Sequence, residues 1–110
     1  MPKMDLLQGT LDMLVLQTLL RGPMHGFAIA RWVRDTTNDA LQLEEGTLYP
    51  ALYRMERKGW ISSRWQKTEN NRRARYYSLT GEGRKQLAIE SDSWQNMSRA
   101  IGRIMRAAQS

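Results

Sequence analysis

Positively charged side chains gather in two neighbouring stretches of this 110-residue sequence. On a predicted helix and on the hairpin predicted after it, they include Arg54, Arg57, Lys58, Lys67, Arg72, Arg73 and Arg75. Lysine and arginine bind phosphate oxygens, and the planar arginine fork can also donate two hydrogen bonds to O6 and N7 of guanine. Residue types and spacing therefore indicate a nucleic-acid contact.

The surplus of positive charge is local. The net charge is +6 and the isoelectric point about 10.2. Residues 1–43 carry four basic and four acidic side chains, residues 44–85 carry ten and five, and residues 86–110 carry three and two. A local positive field attracts polyanions and releases their counterions on contact. A solvated basic face without a partner is the alternative explanation of the charge alone.

A helix predicted over about residues 45–58 carries the first group. Leu48, Leu52 and Met55 recur at i, i+4 and i+7 and should face the core. The opposite surface is then formed by Thr47, Ala51, Arg54 and Lys58, with Tyr49, Tyr53 and Arg57 beside it. We expect Arg54 to lie nearest the base edges and Lys58 nearer phosphate.

The leading end of this helix offers smaller groups. A hydroxyl or methyl from Thr47, Tyr49 or Ala51 can meet phosphate or thymine. For Tyr49 and Tyr53 we favour the alternative, packing between helix and sheet. Gly59 should end the helix.

A hairpin predicted from strands 61–66 and 73–79 carries the second group. Asn70-Asn71 suits its turn because asparagine tolerates left-handed geometry. Lys67, Arg72 and Arg73 should contact DNA from this wing. For Arg75, in mid-strand, phosphate contact and an internal ion pair are equally plausible. A helix followed by a basic hairpin indicates a winged helix-turn-helix.

Two further helices are predicted before this unit, over residues 6–20 and 24–36, with a very short strand at 41–43. The first helix is apolar on more than one side and should be buried on two sides. Thr80 should cap a last helix that reaches about Ala108.

The last helix carries an apolar seam. Leu87, Trp94, Ile101 and Ala108 recur every seven residues, with Met97 and Ile104 at the offset positions and Glu90 interrupting. So long a helix needs a partner, so we predict a dimer whose surface comprises Leu7, Leu11, Leu87, Trp94, Met97, Ile101 and Ile104. Packing of this helix on the first helix of its own chain is the alternative.

Trp94 could do more than pack. Two copies meeting across a twofold axis could stack on a planar aromatic effector, with Met97 beside them. The simpler alternative, a tryptophan in the dimer core without a ligand, is the one that we favour.

Other function classes find no support in the residues. No cysteine occurs, and His25, the only histidine, lacks metal-ligand partners, so we expect it at a turn or helix start. The serines beside Asp92 have no histidine near them in sequence, and no phosphate- or dinucleotide-binding glycine motif is present. We predict no enzyme activity and no cofactor. The apolar stretch 11–20 is too polar for a membrane span and the N-terminus is unlike a secretory signal, so we expect a cytoplasmic protein.

Four motifs in order resemble the PadR family of bacterial transcriptional regulators. They lie at residues 22–29 (GPMHGFAI), 45–52 (EGTLYPAL), 56–61 (ERKGWI) and 73–80 (RARYYSLT) with Gly83, and the resemblance covers about residues 5–105. Residues 6–12 (LLQGTLD) and 69–75 (ENNRRAR) resemble its short, acidobacterial-type branch.

The resemblance implies a homodimeric winged-helix repressor. Its fold is expected to be mainly α with a small β-hairpin: residues 1–80 form the winged-helix DNA-binding part, and residues 81–110 form a C-terminal dimerisation helix that packs against the first helix. The implied partner is double-stranded DNA with an inverted-repeat operator, and some members bind a small-molecule effector at the dimer interface. The alternative function is a winged-helix protein-interaction module without a specific DNA site.

Overall fold

The computed structural model describes residues 8–108, which form four helices and three strands. In chain order they are α1 (Gln8–Leu19), β1 (Met24–His25), α2 (Gly26–Thr36), α3 (Glu45–Arg57), β2 (Ile61–Lys67), β3 (Arg73–Leu79) and α4 (Gly81–Ala108). This is the mainly helical winged helix-turn-helix that the sequence predicts, with α2 and α3 as the helix pair and β2–β3 as the wing.

The strands form one antiparallel sheet in the order β1-β3-β2. The ladder of the wing runs from Ile61↔Leu79 to Lys67↔Arg73, one residue longer in β2 than predicted. The turn between them places Asn71 at φ 60, the left-handed conformation expected of an asparagine there.

The third strand is not the predicted one. Met24 and His25, predicted as the start of a helix, pair with β3 instead. Gly22 (φ 130) and Pro23 lead the chain into an extended course, because proline disfavours a helical residue before it. Residues 41–43, predicted as a short strand, form no regular structure and are anchored by the buried Leu43.

The core is built around α1, whose Val15 and Leu16 are fully buried. Two predicted dimer residues belong to this core: Leu11 is 4% exposed and Leu87 is 6% exposed within the same subunit. Their prediction as dimer contacts is therefore wrong, because α1 and the start of α4 pack on each other inside one chain. Leu7 lies outside the described residues.

The start of α4 is tied to the end of α3. The hydroxyl of Thr80 donates to the carbonyl of Gly59 (2.6 Å) and accepts from the Gly83 amide (3.0 Å), so the predicted N-cap is confirmed. A side chain at Gly83 would collide with the carbonyl oxygen of Trp60. Gly59 itself has φ 81, as a glycine that ends a helix commonly does.

Beyond this anchor α4 projects from the rest of the fold. Its 28 residues span roughly 42 Å at the usual rise per residue. The protein measures 58 × 32 × 22 Å. Within residues 8–108 no helix is long and apolar enough to cross a membrane.

Candidate DNA-binding face

The outward face of α3 differs from the predicted one. Leu48 and Met55 are buried as expected, but Ala51 is buried with them at only 3% exposure. The prediction that Ala51 meets DNA is wrong, because at i+3 from Leu48 it completes the core stripe. Tyr53 and Arg57, which were predicted to flank the DNA-facing surface, lie on the side of α3 opposite its buried residues and are exposed.

Arg54 turns away from solvent toward α1. Its Nη1 and Nη2 donate to the two carboxylate oxygens of Asp12 at 2.7 and 2.8 Å, and the side chains are 27% and 3% exposed. The hydrogen bond to Asp12 raises the pKa of Arg54 and outweighs the opposing effect of desolvation. The prediction of Arg54 as the residue nearest the bases is wrong in this arrangement, because its fork already holds a carboxylate. Arg54 instead fixes α3 to α1.

Two cations remain exposed near the end of α3. The guanidinium of Arg57 lies 5.8 Å from the ring centroid of Tyr53. Lys58 Nζ lies 4.7 Å from the ring of Trp60. Both contacts hold a long side chain against an aromatic face while its charge stays accessible to a partner.

Arg75 follows the alternative that the sequence left open. Its Nη2 lies 3.1 Å from Glu56 of α3, and its Nε donates to the Ser63 hydroxyl at 2.7 Å. Ser63 in turn donates to Glu56 at 2.6 Å. An internal ion pair, rather than a free cation, thus joins β3 and β2 to α3. This network fixes the angle between wing and helix.

The tip of the wing carries three further exposed cations. Lys67 and Arg73 face each other in the ladder, and Arg72 follows the turn. The loop is closed by a hydrogen bond from the Thr68 amide to the Arg72 carbonyl at 2.7 Å. Like charges directly opposite each other are unfavourable unless an anion lies between them. The arrangement suits a phosphate backbone.

A cleft of about 920 Å³ lies between the wing and the starts of α2 and α3. Three exposed aromatic residues line it: Phe27 (61% exposed), Tyr49 (43%) and Trp65 (57%). The guanidinium of Arg31 stands 5.5 Å from the Phe27 ring, and that of Arg73 stands 5.9 Å from Trp65. These two contacts hold arginine side chains at the wall of the cleft, where they can bind phosphate.

Sequence reasoning missed Phe27, Arg31 and Trp65. Trp65 shares the inner face of β2 with the buried Ile61, but it lies far enough along the hairpin to be exposed. A period-two pattern shows which face a residue occupies and not where the covering helix ends. Phe27 and Arg31 enter the cleft only because β1 places the start of α2 beside the wing.

Tyr49 joins the leading ends of α2 and α3. A side chain at Gly26 would meet the Tyr49 ring and hydroxyl, so the tyrosine lies directly over this glycine. Thr47, at the same end, is exposed. Tyr49 thus brings a hydroxyl group to the cleft.

His25 caps α2. Its Nδ1 accepts from the Ala28 amide at 3.1 Å, and its ring meets the Tyr76 ring edge-on at 5.3 Å. The predicted role at a helix start is confirmed. Among residues 8–108, no three histidine, cysteine or acidic side chains come together as a metal site.

The far half of α4 exposes a line of apolar side chains. Trp94, Met97, Ile101 and Ile104 are between 51% and 67% exposed. Their seven-residue spacing keeps them on one side of the helix. Large apolar side chains in so regular a row usually mark a protein–protein contact.

A helix pair, a wing with exposed cations and an aromatic cleft between them define a winged-helix protein. The profile of the transcriptional regulator PadR-like family matches residues 15–89. The chain therefore belongs to the PadR family of transcriptional regulators, as its motifs predict.

Solved structures agree. A transcriptional regulator from Clostridium thermocellum superposes with a TM-score of 0.79 at 29% identity, over 87% of this chain and 93% of that one. A PadR family transcription regulator from Clostridium difficile superposes with a TM-score of 0.75 at 32% identity, over 86% and 97% of the two chains. Among relatives, the uncharacterized protein X of Lysinibacillus sphaericus is 26% identical over 109 residues, which are 99% of this chain and 100% of that protein.

Proposed function

We propose that the protein is a homodimeric, sequence-specific DNA-binding repressor. The observation that carries this proposal is a set of exposed cations at two places, Lys67, Arg72 and Arg73 at the tip of the wing and Arg57 and Lys58 at the end of α3. Arg72 and Arg73 line the cleft between wing and helices, which adds aromatic surface beside them.

Arg57 takes the role of base reader in this proposal. It lies opposite the buried stripe of α3, with Tyr53 one turn before it. An arginine on a helix in the major groove can hold guanine with two hydrogen bonds. Lys58, Lys67, Arg72 and Arg73 bind phosphates, which sets the register but carries no sequence information.

Pairing of two subunits through α4 supplies a second DNA-contacting helix, the α3 of the partner. The exposed side chains of Trp94, Met97, Ile101 and Ile104 would be covered by the same row of a partner subunit. Twofold symmetry then matches an inverted repeat, with the two α3 helices about 34 Å apart in successive major grooves. A planar aromatic effector between the two Trp94 rings would change that separation and release the operator.

Footprinting on the DNA upstream of the protein's own gene tests the proposal. We expect protection of an inverted repeat, and with about six to ten phosphate contacts a loss of roughly 10³–10⁵ in affinity between 50 and 200 mM salt. Arg57→Ala should weaken discrimination at one base pair by about 1–3 kcal/mol. The matched control is Arg34→Ala, which removes the same charge at the far end of α2, where Arg34 pairs with Asp35.

Three results would contradict the proposal. They are a footprint unchanged by Arg57→Ala, binding that is insensitive to salt, and a monomer at the concentrations that protect the operator. A reporter gene behind the protected site separates repression from activation. For the effector, planar aromatics are titrated against wild type and Trp94→Ala while tryptophan fluorescence is followed. Equal responses of the two proteins would exclude Trp94 from the effector site.

A further inference from the structure

Asp12, Arg54 and Glu90 bring charges from three helices to one place beside α3. Asp12 of α1 is buried and forms an ion pair with Arg54 of α3. Glu90 of α4 is half-buried, and the charges of Asp12, Arg54 and Lys58 all act on its carboxyl group. One flank of the recognition helix is thus in electrostatic contact with the helix that carries the proposed dimer seam.

The carboxyl group of Glu90 is incompletely paired. Its Oε1 accepts from the Gln86 Nε2 at 3.2 Å. Its Oε2 is buried and has no hydrogen-bond partner among residues 8–108. Desolvation by burial raises the pKa of Glu90, and the charge of Asp12 adds to this rise. The Gln86 hydrogen bond and the charges of Arg54 and Lys58 oppose it.

Two cations, Arg54 and Lys58, act on this carboxyl group. Asp12 occupies one donor on each terminal nitrogen of Arg54, and a guanidinium has five. Lys58, the residue that follows α3, has its Nζ 4.7 Å from the Trp60 ring. An ionised Glu90 attracts both cations, and Lys58 is one of those proposed to bind phosphate.

We propose that Glu90 is a positioning residue that couples α4 to the DNA-binding cations of α3. When its carboxylate is ionised, it draws Lys58 toward α4 and away from the DNA backbone. When it is neutral, or when α4 shifts, Lys58 is released to bind a phosphate. This inference rests on the proposed function, because it assigns the cations of α3 to DNA.

The pH dependence of stability and of DNA affinity is set by the groups around Glu90. The groups that face Glu90 are Asp12 from α1, Arg54 and Lys58 from α3, and Gln86 on its own helix. Because the pKa of Glu90 is raised on folding, the folded state takes up a proton first as the pH falls. Stability therefore falls as the pH rises between the ordinary and the raised pKa, and stays reduced above it. DNA affinity should fall over the same interval, since ionised Glu90 withdraws a cation.

Glu90→Gln keeps the shape of the side chain and removes its charge. Above the raised pKa of Glu90 this variant should gain about one phosphate contact relative to wild type, which steepens the salt slope by about 0.9 and adds a roughly 3.5-fold loss of affinity between 50 and 200 mM salt. Wild type should approach the affinity of the variant on acidification. Glu82→Gln is the matched control, because it makes the same change on α4 at an exposed glutamate paired with Lys85 at 3.5 Å.

A second measurement needs no DNA. The melting temperature of Glu90→Gln should exceed that of wild type above the raised pKa of Glu90, and the difference should vanish in acid. Wild type that protects no operator would refute the proposed function. Wild type that does bind, but with the pH profile and salt slope of Glu90→Gln, would overturn the role of Glu90 alone. Equal melting temperatures of the two proteins at every pH would overturn it as well.

Discussion

Arg54→Ala should destabilise the fold more than Asp12→Ala, although both substitutions remove the same ion pair. The side chain of Arg54 is 27% exposed and that of Asp12 is 3% exposed, so after loss of the partner the two charged groups differ in their access to water. Without Arg54 the Asp12 carboxylate stays almost dry and uncompensated, which costs about 3–5 kcal/mol. Without Asp12 the guanidinium can turn toward water, and the cost is about 1–3 kcal/mol.

Urea unfolding followed by tryptophan fluorescence measures this difference. Salt and protomer concentration must be held constant, because a dimer's apparent stability depends on both. The double variant Asp12→Ala/Arg54→Ala should be less destabilised than the sum of the single ones, with a coupling of about 1–3 kcal/mol.

A role of Arg54 in reading a base would give different results from a role in holding α3 in place. If Arg54 reads a base, Arg54→Ala keeps its unfolding midpoint and loses about 1–3 kcal/mol of discrimination at a single base pair. If Arg54 only braces α3, its loss weakens binding similarly at all sequences. A stable Arg54→Ala variant with relaxed specificity at one position would therefore refute the reasoning.

Three further substitutions probe the other parts of the fold. Gly83→Ala places a methyl group against the Trp60 carbonyl and should cost at least about 1–3 kcal/mol in thermal unfolding, whereas Gly81→Ala, with open space around it, should cost little. In the proposed dimer, Ile101→Asp should raise the dissociation constant, measured by light scattering, roughly 10²–10³-fold, because it removes about 1–2 kcal/mol of apolar burial per subunit and adds a charge to the seam. Asn96→Asp on the same helix should leave that constant nearly unchanged. Trp65→Ala should weaken DNA binding by about 0.5–1 kcal/mol, because it removes the ring against which the guanidinium of Arg73 stands at 5.9 Å. It should leave the salt slope unchanged, since no cation is lost; a slope that falls would contradict this.

Local patterns were sufficient for most of the elements. The stripe of Leu48, Leu52 and Met55 predicted α3, and the hairpin followed from alternation with a polar turn between its strands. The short strand at Met24–His25 was missed because two residues carry no periodicity. Its existence depends on β3 offering a free edge, which is a tertiary contact. The cleft depends on that same pairing, so Phe27 and Arg31 could not have been assigned to it from the sequence.

The position of Arg54 shows why residue type alone misleads. Its helical spacing from Leu48 and Met55 puts it on the flank of α3, where an arginine can reach either DNA or a neighbouring helix. The choice is made by Asp12, which lies 42 residues earlier and occupies a buried position on α1 that an isolated carboxylate would not tolerate. A charged residue within an otherwise apolar run predicts a buried partner of opposite sign. Asp12 is such a residue in the run 11–20, and Arg54 is its partner of opposite charge. The basic residues of the segment 44–85 therefore include two that form ion pairs within the fold, Arg54 and Arg75, and others that stay exposed at the end of α3 and at the tip of the wing.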